Sequence, residues 1–115
     1  MNLLIKESPL QVLPSLAIQV GLNEAMVLQQ LHFRSLISNN VRDGYKWVYK
    51  TYEEWENDEF PFWSVDTIKR AIRRLEDKGY NVAITSYNRM KMDKTKWYRI
   101  NYQKLQKQAQ HPLVM

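Results

Sequence analysis

The chain has 115 residues, 44% of them hydrophobic and 25% charged, and no cysteine. That composition describes one globular domain with a single modest core, excludes disulfides and thiolate metal sites, and suits a reducing, cytoplasmic setting. The net charge of +5 is unevenly placed. Residues 1–63 carry five Lys/Arg against eight Asp/Glu, and residues 64–115 carry twelve against four, so the halves stand at −3 and +8. A basic half of that size sets up a positive local field that favours phosphate. No apolar run approaches the roughly 18 residues of a membrane span, and the N-terminus lacks a secretory pattern, so no membrane partner is expected.

In chain order, residues 1–9 read as extended. Pro14-Ser15 can open a short helix that Gly21 stops. Asn23 is placed to cap a longer helix from Glu24 to about Ser38. Its apolar residues Met26, Val27, Leu28, Leu31, Phe33, Leu36 and Ile37 cover more than half its surface. That is the pattern of a central core helix that also serves self-association, as a homodimer or higher oligomer. Residues 39–44 carry strong turn chemistry and read as a loop. Lys46–Tyr49 reads as a strand of aromatic and β-branched residues. Thr51 and Glu54 have the spacing of a capping box, opening a short helix from Tyr52 to about Asp58 that Phe60-Pro61-Phe62 ends.

The next segment is the most informative. Ser64 is a capping residue, Gly79 is a helix stop, and between them Val65, Ile68, Ile72 and Leu75 recur at helical spacing. At about 100° per residue, Asp66, Arg70, Arg73 and Asp77 fall on the opposite face, flanked by Thr67, Lys69 and Arg74. Residues 80–87 then read as a strand, residues 88–94 as a basic turn, and residues 95–101 as the hairpin partner. In that partner, Trp97 and Tyr98 point to opposite sides. Residues 102–110 are helix formers, and residues 106–115 read as a tail or truncation point.

Two short helices across a tight aromatic turn, followed by a basic hairpin, predict a mixed α/β (α+β) fold. The expectation is a winged helix-turn-helix over residues 1–105, with extra N-terminal helices and a small three-stranded antiparallel sheet. In that fold the second helix of the motif would read double-stranded DNA with Ser64, Asp66, Thr67, Lys69, Arg70, Arg73 and Arg74. The wing would contact the backbone or minor groove with Asn88, Arg89, Lys91, Lys94 and Lys96. Met90 and Met92 at the wing tip would lie against sugars or a partner protein. The acidic run Glu53, Glu54, Glu56, Asp58 and Glu59 is either turned away from the duplex or a partner-binding patch. Trp47, Trp55, Trp63 and Trp97 could stack single-stranded bases, but their positions at element ends favour core, most of all for Trp55 and Trp97.

Several stretches form a recognisable set: Leu10–Ala17, Gly21–Ala25, Trp47–Trp55, Phe60–Ser64 and Asp93–Tyr102. Together they resemble the N-terminal winged-helix domain of replication initiation proteins from phages and mobile elements of Gram-positive bacteria, replisome organisers with a DnaD-like architecture. The resemblance covers roughly residues 1–105. It implies origin DNA binding, self-association and recruitment of host helicase-loading proteins. A transcriptional regulator of the same fold, and an interaction module or inhibitor that does not bind DNA, remain alternatives. Enzyme signatures are missing from the sequence. Its two histidines, His32 and His111, lie far apart, and its three glycines form no phosphate cradle. No HExxH and no plausible Ser–His–Asp set occurs, so no catalysis, cofactor or metal is expected.

Overall fold

A computed structural model describes residues 10–93 and 95–108. The extended reading of residues 1–9, the tail at 109–115 and Lys94 lie outside the described residues. The order is α1 (Pro14–Val20), α2 (Leu22–Leu36), β1 (Asn40–Arg42), β2 (Tyr45–Lys50), α3 (Tyr52–Glu54, running on as a π-helical turn over Trp55–Glu59), α4 (Val65–Asp77), β3 (Asn81–Ile84), β4 (Lys96–Ile100) and α5 (Tyr102–Gln108). Five helices and a four-stranded antiparallel sheet thus make an α+β fold among the described residues.

The sheet has four strands rather than the three expected, in the order β1-β2-β4-β3. The extra strand comes from the segment read as a loop. Asp43 and Gly44 both take positive φ, 53° and 80°, and Arg42 pairs with Tyr45 across them. Two such residues make the tight hairpin turn whose twist matches the flanking strands. The strand expected over residues 80–87 is shorter, because pairing with β4 ends at Ile84 and the backbone then turns. Leu105 of α5 packs on the core.

Local chemistry sets the helix ends. Pro14 occupies the first turn of α1. Gly21, at φ 104°, lets α1 and α2 follow one another directly, and it occupies the capping position of α2 expected for Asn23. That positive φ, which L side chains rarely adopt, is why the corner requires glycine. Thr51 and Glu54 form the expected reciprocal capping box. The helix it opens loosens into a π-turn closed by Phe60 N–H donating to the Trp55 carbonyl at 2.9 Å.

The core lies between the helices and one face of the sheet. Leu28 and Leu31 of α2, Ile68, Ile72 and Leu75 of α4, Trp55, Phe60, Val48 and Tyr98 form it. Trp55 stacks on Phe60 and meets Tyr98 edge-on at 5.6 Å. Alternation along β4 turns Trp97 to the other face. There it lies within 5.4 Å of Tyr87 and 4.9 Å of Tyr49, and Trp47 is buried beside the same Tyr87. The sheet therefore carries a second aromatic layer, covered in part by the loop between β3 and β4.

Candidate nucleic-acid interface

Helix α4 separates its two faces cleanly. Ile68, Ala71, Ile72 and Leu75 are buried, whereas Asp66, Arg70, Arg73, Arg74 and Asp77 are exposed. Arg70 and Arg73 stand one turn from Asp66 and Asp77, yet neither forms an ion pair with a described residue. Arg74 is 67% exposed and approaches Glu24 at 3.5 Å, which ties it loosely to the start of α2. Burial pushes the Glu76 carboxyl above its ordinary range, against the opposing pull of Lys96 and Arg73.

Ser64 and Thr67 are engaged in the cap. The Ser64 hydroxyl accepts from the Thr67 backbone N–H at 3.2 Å and lies 3.1 Å from its hydroxyl. Lys69 is half-buried, with its ammonium 5.2 Å from the Tyr52 ring centroid. Lys96 reaches the same ring from β4, at 5.3 Å, and donates to the Tyr52 hydroxyl at 3.0 Å. Tyr52 thereby joins α4 to the base of the β3–β4 loop, and Lys96 sits at that junction rather than on the loop.

The loop is pinned at several points. Asn88 donates to the carbonyls of Asp93 and Thr95 and accepts from Trp97 Nε1 at 2.7 Å, so its side chain is occupied internally. The Tyr49 hydroxyl donates to Asp93 at 2.7 Å, and the Tyr87 hydroxyl donates to Asp43. Bonds from Thr95, then from Tyr49, hold the Asp93 carboxyl below its usual range. Those same carboxylates raise the Tyr49 and Tyr87 hydroxyls above theirs. Beyond these anchors Arg89, Met90, Lys91 and Met92 project outward, Met92 being 84% exposed. Neither Arg89 nor Lys91 pairs with a described carboxylate.

The acidic run divides. Glu53, Glu54 and Asp58 are exposed, but the Glu59 side chain is fully buried. It meets Arg34 Nε at 2.9 Å, Lys50 Nζ at 3.1 Å and Gln30 Nε2 at 2.5 Å. Two of the five cations in the first half of the chain thus neutralise one interior carboxylate, and Glu59 is no part of a surface patch. Of the apolar residues of α2 and its C-cap, Leu31 is core, whereas Phe33, Leu36 and the capping Ile37 are exposed. His32 meets the Tyr102 hydroxyl at 2.7 Å. No helix among the described residues is long and apolar enough to cross a membrane. No family model, curated protein or solved structure matches the chain.

Proposed function

We propose that the chain is a winged helix-turn-helix that binds double-stranded DNA through α4 and the β3–β4 loop. The observation that carries this reading is a set of exposed cations, Arg70, Arg73, Arg89 and Lys91, left without carboxylate partners among the described residues. Arginine and lysine in that state hold their charge for phosphate and base edges. Connectivity supports the same reading. Helix α4 leads into β3, the loop and β4, and β4 pairs on its other edge with β2, which is how a wing is attached beside a reading helix.

With the resemblance in sequence, the role favoured is origin binding in the replication of a phage or mobile element. Exposed Phe33, Leu36 and Ile37 support self-association through α2, which a two-fold dimer would translate into half-sites about 34 Å apart or a multiple of it. The test is fluorescence anisotropy with duplexes from the neighbourhood of the chain's own gene, at low salt. Binding to a cluster of repeated sites is the result expected. A single site overlapping the promoter would favour a regulator, and failure to bind any duplex would favour the interaction module.

A further inference from the structure

The tip of the β3–β4 loop is apolar where turns are ordinarily polar. The Asp93 backbone N–H donates to the Met90 carbonyl at 3.1 Å, so residues 90–93 close a turn with Lys91 and Met92 at its apex. Gly, Asn, Asp, Ser and Pro dominate turn positions. Here Met90 is 67% and Met92 84% exposed, and Met92 is the most exposed large apolar side chain among the described residues. One apolar side chain in solvent is ordinary. Two within three residues, on a single turn, make a small apolar tip.

The tip is mounted on a clamped base. The Asn88 side chain donates to the Asp93 and Thr95 carbonyls and accepts from Trp97 Nε1, which bridges the two arms of the loop. The carboxylate of Asp93 is turned back to the sheet, where it accepts from the Tyr49 hydroxyl at 2.7 Å and the Thr95 backbone N–H at 3.0 Å. Beyond that clamp stand Arg89 and Lys91, exposed and unpaired with any described carboxylate, interleaved with the two thioethers.

Cations alternating with apolar side chains restrict the partner. A hydrophobic protein groove would match the thioethers but would desolvate Arg89 and Lys91 without an opposite charge. A duplex minor groove matches both, with phosphates along its rims and apolar base faces wherever a step opens. Methionine is unbranched and polarizable and fills irregular gaps. We propose that Met90 and Met92 form a wedge that enters the minor groove and opens a base step, bending the duplex, while Arg89 and Lys91 hold the flanking phosphates. The wedge rests on the duplex-binding reading and adds a selectivity that needs no contact with a base edge. Pyrimidine–purine steps unstack most readily, so TA or CA/TG steps belong beneath the loop.

The experiment uses the full chain at low salt and two end-labelled duplexes of about 25 base pairs. They differ only at the centre, which holds TA steps in one and an A-tract in the other. Anisotropy reports binding, and energy transfer between the ends reports bending. The wild type should bind both, favour the TA duplex and raise its energy transfer as a bend of at least about 20° requires. Met90→Gln/Met92→Gln keeps the length and flexibility of the tip but makes it polar. It should lose the rise and the preference yet keep the salt slope, because no charge is removed. Met90→Leu/Met92→Leu should retain the rise and the preference. Binding by the wild type without a rise in energy transfer, or a rise that the glutamine variant keeps, overturns the wedge and leaves duplex binding standing. Failure of the wild type to bind either duplex overturns both.

Discussion

The cations at Glu59 and those on α4 do opposite work. Arg34 and Lys50 converge on one buried carboxylate, the ends of three segments tied by charge. Arg70 and Arg73 have carboxylates one turn away on their own helix and do not pair with them. The first group stabilises the fold by neutralising an interior charge. The second leaves a field in solvent, where it costs little and attracts phosphate. What separates them is the burial of the partner, a property that residue type alone does not carry.

The largest effect should come from breaking the structural group. Glu59→Ala leaves Arg34 and Lys50 facing an uncompensated site, and should destabilise the fold by about 3 kcal/mol, at the low end for a broken buried pair because Arg34 is partly exposed. Denaturant unfolding measures this. Duplex affinity of the folded fraction should be unchanged, and a loss there would mean that the two groups of cations are not separate.

On the other side of the comparison, Arg70→Ala and Arg73→Ala should each cost about 1–3 kcal/mol of duplex affinity and relax preference at particular base pairs. Neither should move the unfolding midpoint. Arg89→Ala and Lys91→Ala should weaken all duplexes alike and reduce the salt slope by about one each. Anisotropy on a panel of single-base-pair variants distinguishes the two patterns. If the loop changes alter sequence preference and the helix changes do not, the roles are reversed.

How much of this could be read from sequence depends on the range of the interaction. The capping box at Thr51 and Glu54, the Ser64 cap and the apolar stripe of α4 are set by residues three or four apart, and all three are legible. The β1–β2 hairpin carries a local signal as well, Asp43-Gly44, but residues 39–42 lack the apolar alternation that would mark a strand, because β1 is exposed along its whole length. Glu59 resembles its acidic neighbours until the π-turn and the approach of α2 and β2 bury it. Asn88 and Lys96 look like wing residues by position. One is consumed by bonds to Trp97, Asp93 and Thr95, and the other bends back to Tyr52.

A smaller effect concerns the latch between loop and sheet. The Asp93 carboxyl is held below its ordinary value in the folded state, so its contribution to stability is complete above about pH 4 and is lost as pH falls through that lowered value. Tyr49→Phe removes one of its partners at an exposed site and should leave the unfolding midpoint almost unchanged. Hydrogen exchange of the loop amides should nonetheless rise in that variant, while exchange in α4 stays as it was. Equal increases in both would mean that the loop and α4 open as one unit.

The dependence of duplex binding on salt bears most directly on the central claim, that unpaired cations on α4 and the β3–β4 loop form a DNA-binding surface. If all four of these cations meet phosphates, log K should fall with log salt at a slope of about −4. Removing Arg89 and Lys91 together should reduce that slope by about two. A flat dependence in the wild type, or a slope untouched by the double variant, would contradict it.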